Sequence, residues 1–192
     1  MLDFDVDADE LRRVVEELGA MPKEVNAAYN RALTRTAATL RKLSSQGLVS
    51  ELGLRRAKAI RKRLKTIRVK GSNSGNYRKM ASVRLWYGLN DIAVSEFKGR
   101  VSESAAGAGY SGPAGSHDFP GAFVAKPRGT KRRTIMRRRG ARRLPIHQET
   151  LPIKDKADVY VEDNVFDQLE SIFWRHFRDD LTRRVAYLRA AR

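Results

Sequence analysis

The sequence predicts an α+β fold in which helices pack on a small, mostly antiparallel sheet. Apolar residues recur at helical spacing towards both ends of the chain, whereas the middle alternates with period two between turn-forming residues. The chain has 192 residues, of which 41% are hydrophobic, and this is enough for one ordinary core. We therefore predict a single domain over 1–192, with a helical part at 7–65, a strand part at 66–153 and a long C-terminal helix at 160–190.

The N-terminal part predicts three helices. Residues 7–19 place Leu11, Val14 and Leu18 on one face, with Asp7 as the cap and Gly19 as the stop. Residues 22–47 predict a long helix that begins at Pro22 and ends at Gly47. Residues 54–65 predict a short third helix, in which a thin apolar stripe is surrounded by cations.

The middle of the chain predicts strands separated by loops. We expect strands at 65–70, 78–86, 92–94, 121–127 and 133–138, and extended segments at 144–146 and 151–153, where prolines disfavour helix. The last two of these strands form a basic hairpin whose turn is 128–131. Residues 71–76 predict a loop, and residues 99–118, rich in Gly, Ser and Ala, predict a long flexible loop within the domain. Residues 164–190 carry a wide apolar face and make the terminal helix.

Composition narrows the class of protein. No run of 18 apolar residues is present, so we expect no membrane partner, and the acidic start does not resemble a signal peptide. The chain has no cysteine, which removes disulfides, thiolate metal sites and cysteine nucleophiles and fits assembly in a reducing cytoplasm.

Charge is the strongest compositional signal. Lys and Arg number 39 against 22 Asp and Glu, a net charge of +17. Nineteen cations fall in two segments, 55–70 and 126–143, which is more than a solvated hairpin or a protected sheet edge requires. Either nucleic-acid phosphates, contacted without sequence preference, or an acidic protein surface fits this pattern. The residues predicted to contact such a polyanion or partner are Arg55, Arg56, Lys58, Arg61, Lys62, Arg63, Arg128, Lys131, Arg132, Arg133, Arg137, Arg138, Arg139, Arg142 and Arg143.

Signals for an enzyme are weak. The three histidines form no HxxxH or HxH pair, and no glycine-rich phosphate cradle occurs. Ser116-His117-Asp118 are adjacent in sequence, whereas the members of a catalytic triad face one another in space. The carboxylates of Asp158, Glu162, Asp163 and Asp167 suit the N-terminus of a helix. We predict a non-enzymatic protein with no catalytic residue, no metal site and no cofactor.

Four segments, in this order, resemble the minor tail protein Z or tail-completion family of lambda-like phages. They are an alanine-rich helix with an Asn-Arg pair at Asn26–Leu33, a basic segment at Leu54–Leu64, the sequence Phe-Pro-Gly-Ala-Phe at Phe119–Phe123, and an Arg-rich hairpin that ends in Arg143-Leu-Pro-Ile146. Residues 99–118 fall in a variable region of the family, so the resemblance implies nothing about them.

The resemblance implies a structural virion protein, located in the tail or neck and assembled in the host cytoplasm. It implies tail completion at the head-proximal end, in a homo-oligomeric, sixfold ring that contacts the tail terminator, connector or tail tube. Non-specific contact with phage DNA would also fit. The alternative from the residues alone is a free, sequence-independent nucleic-acid-binding protein. A nuclease or other processing enzyme is a third class, disfavoured because we find no metal-site motif.

Overall fold

The computed structural model describes residues 7–69, 82–129 and 132–190, and they form an α+β fold with a long C-terminal helix, as predicted. The chain divides into two compact units. The helical unit comprises Met1–Ser44, Leu64–Tyr87 and Glu162–Arg192, and the strand-rich unit comprises Ser45–Arg63 and Gly88–Val161. The assignment of 1–192 to a single domain stays a prediction.

The described helices are α1 (Ala8–Leu18), α2 (Pro22–Glu51), α3 (Lys58–Arg61), α4 (Lys154–Val161) and α5 (Leu169–Ala190). The limits of α1 confirm the sequence prediction. The carboxylate of Asp7 accepts hydrogen bonds from the backbone N–H groups of Asp9 and Glu10, and Gly19 ends the helix at φ +59°.

Two predicted helix limits are wrong. Helix α2 passes through Gly47 and ends at Glu51, followed by Gly53 at φ +64°. Gly47 does not stop the helix; a Cβ there would overlap the ring of Tyr160, so glycine serves close packing. The helix predicted at 54–65 is reduced to α3, because Leu54 instead forms a β-bridge with Phe97 and Leu64 begins a strand.

The C-terminal helical region is interrupted. Helix α4 begins at Lys154, earlier than the sequence predicts, and is followed by a π-helical turn at Glu162–Phe166 before α5 starts at Leu169. The predicted apolar face is largely confirmed, since Val165, Phe173 and Phe177 are at most 1% exposed, whereas Leu188 is 38% exposed.

The core of the helical unit is built from α1, α2 and α5. Phe173 lies at its centre, with its ring centroid 5.5 Å from that of Tyr29, 5.3 Å from that of Trp174 and 6.0 Å from that of Phe177. Small residues of α2, among them Ala28 and Ala32, are fully buried in the same cluster. The small residues of α2 therefore allow its neighbours to approach closely, and α5 supplies the bulky rings of the core.

The described strands are β1 (Leu64–Val69), β2 (Ser82–Tyr87), β3 (Ile92–Ala93), β4 (Arg100–Ser104), β5 (Gly107–Gly112), β6 (Gly115–Pro120), β7 (Phe123–Ala125), β8 (Thr134–Arg138), β9 (Ile146–Gln148) and β10 (Thr150–Leu151). They form four antiparallel sheets of two or three strands, ordered β1-β2, β10-β3, β4-β5-β6 and β7-β8-β9, instead of one sheet. The predicted hairpin of β7 and β8 is confirmed. The loop predicted at 71–76 and the start of the strand at 78–86 lie outside the described residues.

The prediction of a long flexible loop at 99–118 is wrong. These residues form most of the three-stranded sheet β4-β5-β6, whose two connections are each two residues long. Ala108 and Tyr110 are buried on one face, and the glycines allow close approach of the backbone. A Cβ at Gly99, which has φ +137°, would lie 2.5 Å from the carbonyl oxygen of Ser111. The glycines therefore serve packing within a sheet and do not mark a loop.

Candidate polyanion-binding surface

Both basic segments contribute their predicted contact residues to the same unit. All fifteen belong to the strand-rich unit, although the two segments are far apart in sequence. This unit contains 20 Lys and Arg against 8 Asp and Glu, a net charge of +12, and the helical unit accounts for the remaining +5. The positive charge is therefore concentrated in one of the two units.

Three arginines of the first segment have structural partners. Arg55 donates from Nε to the carbonyl of Phe97 (2.6 Å) and from an η-nitrogen to that of Gly99 (3.0 Å). Arg63 donates to the carbonyls of Asn90 (2.5 Å) and Asp91 (3.1 Å).

Arg56 instead forms an ion pair with Glu96 at 3.1 Å. The carbonyl partners of Arg55 and Arg63 carry no net charge and therefore do not neutralise these two arginines. The carboxylate of Glu96, in contrast, neutralises Arg56.

Two arginines of the second segment are also engaged. Arg137 forms an ion pair with Glu149 (2.6 Å), and the guanidinium of Arg138 lies 5.9 Å from the ring centre of Phe123. Arg132 has an interaction of its own as well. Lys131 lies outside the described residues.

The remaining predicted contact residues project into solvent. They are exposed, and none makes a side-chain hydrogen bond or ion pair with another described residue. Three of them lie on the connection between β8 and β9, which is closed by a hydrogen bond from the N–H of Arg139 to the carbonyl of Pro145 (3.2 Å). This group of eight, named here the exposed cations, is Lys58, Arg61, Lys62, Arg128, Arg133, Arg139, Arg142 and Arg143.

The two basic segments meet at a pair of cavities in the strand-rich unit. The first, of about 210 Å³, is lined among others by Arg55, Arg132 and Arg133. The second, of about 340 Å³, is lined by Arg56 and again by Arg132. Ser95 also lines both cavities, so the two share part of their walls. Sequence reasoning predicted the arginines but not that they converge.

Neutral polar residues that sequence reasoning missed complete this region. Gln148 donates to the hydroxyl oxygens of Ser95 (2.6 Å) and Thr134 (2.8 Å), and Thr134 is fully buried. Tyr110, which lines the first cavity, donates its hydroxyl to the carbonyl of Lys98. Burial raises the pKa of Tyr110, so the phenol stays neutral and acts as a donor. No sequence motif marks these residues, because their roles depend on tertiary contacts.

The structure places the three histidines apart from any catalytic arrangement. On β6, His117 points to the face opposite Ser116 and Asp118, because successive side chains of a strand alternate. His117 contacts the carbonyl of Ala114 at 3.0 Å, and His147 is exposed on β9. His176 lies 3.4 Å from the hydroxyl of Thr39; burial, together with Arg175 and Arg35, lowers its pKa.

The carboxylates that the sequence places near a helix N-terminus lie on different elements. Asp158 lies within α4 and pairs with Lys154, whereas Glu162 and Asp163 lie in the π-helical turn. Within 7–69, 82–129 and 132–190, no group of three His, Asp or Glu side chains is arranged to hold a metal ion.

No helix among the described residues is long and apolar enough to cross a membrane. Comparisons with protein-family models, with curated proteins and with solved structures give no match for this chain.

Proposed function

We propose that this chain is a non-enzymatic structural protein of a tailed-phage virion, which completes the tail at its head-proximal end. The observation that carries the proposal is the presence of eight exposed cations on one unit, since a concentration of exposed positive charge suits docking to a polyanion. The assignment to a phage tail rests on the resemblance of the four segments, taken in order, to the tail-completion family.

The proposed assembly is a homo-oligomeric ring, with six copies as the expectation. Its neighbours would be the tail terminator, the connector or the tail tube, at the joint between head and tail. A ring would bring several copies of the exposed cations together, so their charge must be offset by DNA or by acidic protein neighbours. The unequal charges of the two units, +12 and +5, support separate docking surfaces for separate neighbours.

Quantitative mass spectrometry of purified particles tests this proposal. We expect the chain in particles of a phage that encodes it, at about six copies for each tail, in proportion to a ring protein of known copy number. Loss of the gene should leave heads and tails that do not join into infectious particles. Absence of the chain from mature particles would contradict the proposal.

A free, sequence-independent nucleic-acid-binding protein is the second candidate, and the exposed cations favour it as well. This candidate predicts that the isolated chain binds any duplex tightly, with an affinity that falls steeply as salt rises. It also predicts that the chain remains with host or phage DNA outside particles. Fractionation of infected cells, with the chain followed by immunoblotting, distinguishes the two candidates.

A further inference from the structure

The pair of arginine-lined cavities in the strand-rich unit is a candidate ligand site. Each is far larger than the roughly 10–15 Å³ that holds a single water molecule. The second, of about 340 Å³, lies within the roughly 300–1,000 Å³ of small-ligand pockets, and the first, of about 210 Å³, is smaller than that range. Four arginines line them, two from each basic segment: Arg55, Arg56, Arg132 and Arg133.

We infer that these cavities bind two neighbouring phosphate groups, one in each cavity, with Ser95 and Arg132 between them. The site is named the phosphate site. The inference of a phosphate site rests on the proposed function, because that function determines where the phosphates come from. A nucleic-acid strand and a nucleoside triphosphate share this chemistry.

The net charge of the site favours phosphates over a single carboxylate. Glu96 is the only acidic residue among those that line the two cavities, and it pairs with Arg56 at 3.1 Å. The described lining therefore has four arginines against one carboxylate, and one acidic side chain of a ligand would offset only part of this excess. Guanidinium groups also match the geometry of phosphate oxygens, to which they can donate two hydrogen bonds at once.

The donors of the site are held in position before a ligand arrives. The carbonyls of Phe97 and Gly99 fix the guanidinium of Arg55, whose remaining η-nitrogen makes no hydrogen bond with a described residue. Gln148 donates to the oxygen of Ser95, which leaves the hydroxyl hydrogen of Ser95 to donate to a ligand. Fixed donors lose little conformational entropy when an anion binds.

The backbone that carries these donors is also fixed. The N–H of Arg55 donates to the carbonyl of Glu96 (2.8 Å), and the N–H of Lys98 donates to that of Gly53 (2.8 Å). The N–H of Val94 donates to the carbonyl of Glu149 (3.0 Å), which ties the turn bearing Ser95 to the segment after β9. The site is therefore preorganised on both sides of the turn.

Calorimetric titration of the full chain with pyrophosphate tests the site. Arg133→Gln removes an exposed guanidinium from the first cavity, and we expect it to weaken binding by about tenfold, as loss of one charge-assisted hydrogen bond would. Arg41→Gln is the matched control, because it removes the same charge from an exposed arginine of the helical unit that lines neither cavity. The control should change the affinity less than twofold.

Two variants separate the site from general electrostatic attraction. Ser95→Ala changes no charge and should weaken binding about fivefold, whereas Glu96→Gln removes the one carboxylate and should strengthen it. Equal effects of Arg133→Gln and Arg41→Gln, or no effect of either, would overturn the inference. Circular dichroism of each variant confirms that it is folded.

Further titrations identify the source of the phosphates. An oligonucleotide without terminal phosphates and a nucleoside triphosphate are compared, with polyglutamate as the carboxylate control. If Arg133→Gln weakens the binding of the oligonucleotide or of the nucleoside triphosphate, the phosphate site is supported. The ligand whose affinity falls more is the source of the phosphates. If polyglutamate binds more tightly than both phosphate ligands and Arg133→Gln weakens its binding equally, the inference of a phosphate site is overturned. Because particle content is measured separately, failure of the phosphate site and failure of the proposed virion role are distinguishable.

Discussion

In the helical unit, Asp180 is 4% exposed and accepts hydrogen bonds from two arginines, Arg31 at 3.1 Å and Arg184 at 2.6 Å. In the strand-rich unit, Arg55 and Arg63 donate to backbone carbonyls instead. Both arrangements hold a guanidinium in place, but only the carboxylate neutralises its charge. The comparison teaches that arginine can stabilise a fold and still leave the fold strongly positive.

The composition of the two units follows the same division. The helical unit offsets 19 Lys and Arg with 14 Asp and Glu, whereas the strand-rich unit has 20 against 8. The helical unit combines paired charges with a core of aromatic rings, and the strand-rich unit has the larger excess of positive charge. The following variants test this contrast, from the largest expected effect to the smallest.

Removal of the central ring of the helical unit should have the largest effect. Phe173→Ala deletes a fully buried side chain that contacts three other rings, and we expect a loss of about 3–5 kcal/mol in the free energy of unfolding. Tyr187→Ala, at a position 74% exposed, is the control and should change stability by less than about 0.5 kcal/mol. Urea denaturation measures both. Similar small losses would show that this ring cluster is not the stabilising core.

Reversal of charge on the β8–β9 connection should abolish most polyanion binding. Arg139→Glu, Arg142→Glu and Arg143→Glu together should weaken duplex binding by about 100-fold at low salt and reduce the slope against log salt by about 2–3. Fluorescence anisotropy with labelled duplex provides the measurement.

The control triple is Arg13→Glu, Arg41→Glu and Arg183→Glu. It makes the same change in net charge at exposed positions of the helical unit. If it weakens binding as much as the first triple, the contrast between the units is wrong.

The ion pairs of the buried Asp180 should make the stability of the helical unit depend on pH. Burial alone would raise the pKa of Asp180, but hydrogen bonds and charges from Arg184 and Arg31 outweigh it and lower the pKa below 3.8. A lowered carboxyl pKa stabilises the fold at pH values above the unfolded-state pKa, and this contribution is lost as pH falls through the folded-state pKa.

Asp180→Asn should therefore cost about 2 kcal/mol at pH 7 and progressively less below about pH 4. Unfolding curves recorded across this pH range measure the difference from the unmodified chain. Asp179→Asn, at the exposed neighbouring position, is the control. A cost that stays constant down to pH 2 would contradict the role of the ionised carboxylate.

The close contact at Gly47 should have the smallest effect. Gly47→Ala brings a methyl group against Tyr160 and should destabilise the chain by about 1 kcal/mol. In a Tyr160→Ala background the same substitution should be neutral or stabilising, because alanine favours helix over glycine. A thermal-unfolding double-mutant cycle measures the coupling. Zero coupling would mean that Gly47 is not required by this contact.

Sequence patterns predicted the elements whose signal is local. The cap at Asp7, the apolar face of α5 and the pairing of β7 with β8 follow from residue spacing and turn chemistry, and the structure confirms them. Two of the assignments that are wrong involve glycine. Gly47 and the glycines at 99, 107, 109 and 112 fit the composition of helix stops and loops, but a Cβ at each would meet atoms of a residue that is distant in sequence or on a neighbouring strand.

The sequence likewise predicted only part of the candidate site. The density of Lys and Arg marked both basic segments, and this information is present in composition alone. Composition does not show which arginines have internal partners, such as Arg55 with the carbonyl of Phe97, because these contacts are tertiary. It also gives no signal for Ser95 and Gln148, which are ordinary polar residues until the fold brings them to the arginines.

Protection of lysine amines by a polyanion tests the central claim most directly. The chain is acylated with and without saturating duplex DNA, and modification is quantified by mass spectrometry at exposed lysines of both units. We predict strong protection at Lys58 and Lys62 in the strand-rich unit and little at Lys23 and Lys42 in the helical unit. Equal protection at all four, or protection at Lys23 and Lys42 alone, would contradict the claim that the strand-rich unit carries the polyanion-binding surface.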